Sequence, residues 1–122
     1  MLKHFAAEQD HLDSRVIDQR HGDAGCNVTF EAGCRNNWHI HHADKGGGQI
    51  LVCVGGYGWY QEDGKLAQPL KTGDVVNILP GVKHWHGSQK DSWFAHLAIG
   101  VPGENASTEW LDPVSDNEYA KL

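Results

Sequence analysis

A chain of 122 residues is the length of one domain and can bury a core without disulfides or a structural metal as a staple. Its ten Lys and Arg are scattered and outnumbered by sixteen Asp and Glu, for a formal net charge of −6, which excludes the basic stripe that nucleic acid or an anionic lipid surface would need. Three cysteines without a C-x-x-C spacing exclude a disulfide framework and a zinc ribbon.

Residues 1–25 are polar, with apolar residues only at scattered places such as Phe5, Leu12, Val16 and Ile17, so an irregular N-terminal arm is expected there. The opening "MLKHFAAEQDHLD" lacks the apolar centre of a signal peptide, and no apolar run reaches bilayer-spanning length, so a cytoplasmic protein without a membrane partner is expected. From Cys26 to Asp112 the texture changes to short β-rich runs, "CNVTF", "QILVCV", "YGWYQ", "VVNIL" and "SWFAHLAI", punctuated by "EAG", "EDGK", "KTGD", "LPG" and "VPGE". Short strands at this spacing, with no helical periodicity between them, predict one all-β domain over 26–112, a closed barrel or a two-sheet sandwich. Residues 113–122 form a tail in which Ser115 precedes Glu118 by three positions, a capping-box pattern that predicts one short helical turn. The aromatic residues Trp38, Trp59, Trp85, Trp93 and Phe94 are expected as core and barrel-lining bulk, because aromatic side chains dominate core burial.

The chemistry is concentrated in histidines. Side chains alternate along a strand, so His39 and His41 share one face while Ile40 and His42 share the other. By the same rule His84 and His86 face away from Trp85, and Phe94, His96 and Ala98 share a side. Five imidazoles can therefore converge inside one barrel.

The phrases around these histidines resemble those of a known family. Gly33, five residues, His39-x-His41, and then Gln49, six residues and Gly56 resemble the first motif of the cupins. "GDVVNILPGVKHWHG" resembles the second, ending on His84. The likeness spans residues 26–112 and is to the small single-domain cupins, among them the carboxymuconolactone-decarboxylase-associated cupins and the manganese-dependent hydroxynitrile-lyase-like cupins. It implies a jelly-roll β-barrel with His39, His41, Gln49 and His84 as metal ligands and His96 as the general base. It also implies one divalent transition metal per chain, manganese first, with iron, zinc, nickel or cobalt open, a small-molecule substrate, and a homodimer.

Two departures stand out. The proline usual at the position of Leu79 comes one residue later, at Pro80. The fourth ligand usually follows the His-x-His pair after three or four residues, whereas "HADKGGG" puts seven between His41 and Gln49. Asp44 and His42 are therefore rival ligands. Asn36 stands where related lyases carry a small hydroxyl residue, and it can donate a hydrogen bond instead. His96 also has a second reading, as a core histidine hydrogen-bonded to backbone. His86 has no assigned role.

Three imidazoles and an amide are all neutral, so an ion they hold keeps its full charge and acts as a strong Lewis acid toward a hydroxyl or carbonyl oxygen. Together with the resemblance to the lyase-like cupins, that implies a metal-dependent lyase. An iron-dependent oxygenase and a metal-containing binding cupin without turnover are the alternatives.

Overall fold

Strand β5 (Gln49–Glu62) organises the molecule, because it is long enough to belong to two sheets. Its first half pairs with β7 (Val75–Ile78) on one side and β9 (Phe94–Gly100) on the other. Its second half pairs with β6 (Gln68–Lys71) and β8 (His84–Ser88). The register slips between Cys53 and Gly55, a bulge that bends the strand from one sheet into the other. The bend needs glycine: Gly56 has φ +68°, and a Cβ there would lie 1.8 Å from the Trp93 carbonyl oxygen. The runs "QILVCV" and "YGWYQ", separate in the sequence reading, are thus one strand.

The computed structural model describes residues 16–20 and 25–122. Strands β1 (Val16–Arg20) and β2 (Gly25–Phe30) extend the first sheet in the order β1-β2-β9-β5-β7. Strands β3 (His39–His42) and β11 (Ser107–Trp110) extend the second as β6-β5-β8-β3-β11. Two short strands, β4 (Lys45–Gly46) and β10 (Gly103–Glu104), pair in a separate ribbon. Every pairing is antiparallel, giving the all-β curled sheet of a jelly roll. The arm expected to be irregular over 1–25 is corrected in one part: Val16–Arg20 pairs residue by residue with Arg20↔Cys26 to Val16↔Phe30. Its weak helical periodicity hid a strand that is recognised only by its antiparallel pairing with β2. Residues 1–15 lie outside the described residues.

The two sheets face each other across an apolar interior of Phe30, Cys34, Leu51, Cys53, Tyr60, Leu70, Ile78, Phe94 and Ala98. A second cluster forms on the outer face of the β8 sheet, where Trp38, Trp85, Val114 and Tyr119 pack together. It is closed by helix α1 (Asp116–Ala120), whose N-cap is Ser115, accepting from the Glu118 backbone N–H as the capping-box spacing predicts. Arg35 fastens the segment: its Nη2 donates to the Val114 carbonyl at 3.1 Å and to Asp116 at 2.5 Å, and its guanidinium lies over the Tyr119 ring. Trp93 departs from the expected core role and is 54% exposed, its ring covering Gly55. No helix among the described residues is long and apolar enough to cross a membrane.

Candidate metal centre

Strands β3 and β8 lie side by side with His39 opposite His84. The period-two alternation then carries His41 and His86 onto the same inner face. One nitrogen from each of His39, His41 and His84 lies within 4.8 Å of the others. The ring centroids are 4.2 Å apart for His39–His84, 5.1 Å for His39–His41 and 5.3 Å for His41–His84.

The Nδ1 atoms of this group are already engaged. His39 Nδ1 donates to the Asn37 carbonyl at 2.8 Å and His84 Nδ1 to the Val82 carbonyl at 2.9 Å. A carbonyl can only accept, so in both rings the Nε2 keeps a lone pair. His41 Nδ1 meets the Thr108 hydroxyl at 3.2 Å. Such partners fix the tautomer and ring orientation of a metal-binding histidine.

What remains is a set of buried atoms with nothing to bond. His41 Nε2, His84 Nε2 and Gln49 Oε1 meet no partner among the described residues. Buried polar atoms are nearly always paired, so two unpartnered nitrogens within the histidine cluster and an unpartnered amide oxygen beside His41 fit a bound cation. The protonation states agree. Burial holds the His39 imidazole well below its ordinary value, helped by the charge of His84. Burial pushes His84 down to about 4 and lowers His41, against which the Gln49 amide pulls upward. Neutral imidazoles are the form that binds metal.

The rival ligands are placed elsewhere. His42 is on the exposed face of β3, with Nε2 2.7 Å from Glu109. Asp44 accepts from Asn105 Nδ2 at 2.6 Å beside the β4–β10 ribbon. Gln49, despite the long excursion before it, sits beside His41.

His96 is completely buried on β9, and its Nε2 lies 3.1 Å from His86 Nδ1. Sequence reasoning let both converge inside one barrel; the direct contact between them, across β8 and β9 of different sheets, is seen only in the structure. Asn36 completes the chain. Its Oδ1 accepts from the His86 backbone N–H at 3.0 Å, which turns its Nδ2 toward the ring, 3.2 Å from Nε2 and 3.4 Å from Nδ1. A ring whose Nε2 accepts from an amide carries its proton on Nδ1 when neutral, and so donates to His96 Nε2. Burial pushes His96 down to about 4, and burial holds His86 well below its ordinary value, with the neighbouring histidines adding to the effect. The Phe30 ring packs against both.

A jelly roll with inward histidines at the head of β3 and β8 and an amide at the start of β5 is the architecture of a cupin, and the chain belongs to the small cupins. The (R)-mandelonitrile lyase of Granulicella tundricola is 39% identical to it over 98 residues, 80% of this chain and 72% of that protein. A cupin-like protein of Thermotoga maritima is 43% identical, with a TM-score of 0.70 over 80% of this chain and 70% of that one. A cupin 2 conserved barrel domain protein of Salinispora arenicola, 23% identical with a TM-score of 0.60 over 76% of this chain and 82% of its own, shares the fold. No family model matches the sequence.

Proposed function

We propose that this cupin is a metal-dependent lyase that makes and breaks a bond beside a carbon–oxygen group of a small molecule. One divalent ion, manganese first, is held by Nε2 of His39, His41 and His84 and Oε1 of Gln49. The observation that carries this reading is the clustering of one nitrogen each from His39, His41 and His84 within 4.8 Å, with His41 Nε2, His84 Nε2 and the Gln49 Oε1 beside His41 buried and unpartnered among the described residues. When bound, the ion supplies Lewis acidity toward a hydroxyl or carbonyl oxygen, undiminished because all four ligands are neutral.

His96 handles the proton. Its burial keeps the ring uncharged at neutral pH, and with His86 donating its Nδ1–H the His96 Nε2 is the acceptor, until a substrate hydroxyl takes that place. Asn36 holds His86 in the donating orientation. The apolar walls of Phe30, Leu51 and Phe94 exclude water from the interior and strengthen these interactions. The likeness to a mandelonitrile lyase supports cyanohydrins as the first substrates to assay. A homodimer belongs to the same proposal, supported by the exposed Val54, Val75, Leu97 and Ile99 on the outer face of the first sheet. Light scattering that gave a monomer at every concentration would remove it.

The test is metal analysis coupled to a cyanohydrin-cleavage assay on metal-reconstituted protein. His41→Ala and His84→Ala are expected to lose stoichiometric metal while keeping the β fold. His96→Ala is expected to keep its metal and lose turnover by about a hundred- to ten-thousand-fold, the range of a general acid–base group. Unchanged metal content in both ligand variants would overturn the site. Binding of cyanohydrins without turnover by the loaded protein would replace the lyase with a binding module.

A further inference from the structure

The seven residues between His41 and Gln49 raise a problem that the rest of the fold does not. A longer loop samples more conformations and leaves the residue at its far end less well placed. Yet Gln49 Oε1 is buried and unpartnered among the described residues and its side chain sits beside His41, so something returns the chain accurately.

The excursion is tied down along its length by the segment that follows β9. The Asp44 backbone N–H donates to the Glu104 carbonyl at 2.8 Å, and the Gly47 N–H to the Pro102 carbonyl at 2.9 Å. In the opposite direction the Val101 N–H donates to the Gly48 carbonyl at 3.0 Å. Asn105, in the left-handed region at φ +53°, aims its amide at Asp44. Lys45 and Gly46 pair with Glu104 and Gly103 between these points.

The last step is made by Gly48. It has φ +95°, and a Cβ would lie 2.3 Å from the Ile78 carbonyl oxygen and 3.3 Å from the Pro80 ring. The turn it rests on, 78–81, also holds His41, whose carbonyl accepts from the Gly81 N–H at 2.8 Å, and it leads directly into His84. Backbone contacts at one spot therefore bind together the approaches to His41, Gln49 and His84.

We infer that the β4–β10 ribbon and Gly48 form a clasp that positions Gln49 as the fourth metal ligand across the enlarged loop, with Gly48 and Asn105 as positioning residues. The inference rests on the metal-site reading above. Such supporting groups are worth about ten- to a hundredfold in metal affinity, and that is the loss expected for Gly48→Ala.

The experiment measures affinity for zinc(II) and manganese(II) alone, by competition with a chromophoric chelator, in a cycle of Gly48→Ala, Gln49→Ala and the double variant. If the clasp acts through Gln49, the double variant binds no more weakly than Gln49→Ala, whereas independent effects would add. Gly73→Ala is the matched control, because Gly73 has φ +96° with no atom within 4 Å of its would-be Cβ. It carries the same backbone strain in another turn and is expected to leave affinity unchanged. Should Gly48→Ala fail to fold, Asn105→Gly preserves the left-handed backbone and removes only the bond to Asp44. Its smaller loss of affinity is likewise expected to vanish in the Gln49→Ala background. Additive losses, or a Gly48→Ala affinity equal to that of Gly73→Ala while Gln49→Ala binds weakly, would overturn the clasp and leave the ligand set standing. Unchanged affinity in Gln49→Ala would overturn both the amide ligand and its clasp.

Discussion

The two faces of β8 have different work although every residue of the strand is buried. On the inner face His84 and His86 carry buried nitrogens whose hydrogen bonds are few and directed, and one of them is left with none among the described residues. On the outer face Trp85 is saturated: it packs with Trp38, Val114 and Tyr119, and its indole N–H donates to Gln61 Oε1 at 2.9 Å. Burial alone does not separate site from scaffold here. The state of the polar atoms does, because an unpaired buried nitrogen costs stability unless a ligand repays it, while a saturated indole simply adds apolar contact.

The largest expected effect that sharpens this contrast is Trp85→Ala. Emptying that position should cost about 3–5 kcal/mol, as for other buried aromatic residues, read as a fall in the denaturant midpoint. Zinc affinity of the folded variant should match the parent protein. A parallel fall in affinity would show that the two faces are not independent.

Acid should act on the inner face. The His96 imidazole is pushed from an ordinary 6.5 down to about 4 by burial, so the unfolded chain takes up this proton first. Its contribution is fully present above pH 6.5 and is lost as the pH falls from there toward 4, by about 3 kcal/mol at most. His96→Gln should make the stability profile less steep in that window, the remaining slope belonging to His39, His41, His84 and His86, measured by urea unfolding at a series of pH values. Equal slopes for the two proteins would mean that His96 is not the group being charged.

The smallest effect tests the outer clamp. Tyr119 donates its hydroxyl to the Ser88 carbonyl at 2.7 Å, and Tyr119→Phe removes that bond while keeping the ring under Arg35. A loss of about 1 kcal/mol is expected, with no change in metal content. A much larger loss would mean that the hydroxyl, rather than the ring packing, holds the C-terminal segment in place.

Much of the site could be read before any coordinates, for a reason that is local. Alternation along a strand puts His39 with His41, and His84 with His86, whatever the rest of the chain does. Ser115 and Glu118 likewise announced a helix through a contact three residues apart. The strand β1 was missed because Val16 and Ile17 carry too little pattern to stand out before pairing with β2. The aromatic residues are expected from sequence as core and barrel-lining bulk; Trp38 and Trp85 instead pack in an outer cluster and Trp93 is half exposed. Outer-face burial depends on whether the C-terminal segment folds back, which no window of sequence records.

By itself the sequence determined the strand-rich class, the inward-facing histidine pairs and the cupin motifs, all of which follow from covalent periodicity and residue chemistry over a few positions. Only the tertiary structure decided that Gln49 rather than Asp44 or His42 lies beside His41, that His86 reaches His96, and that Asn36 orients the ring between them. Those contacts join residues 8, 10 and 50 positions apart. Their geometry is set by how β5 bends at Gly56 and how the ribbon closes the loop, and alternation along one strand carries no information about either.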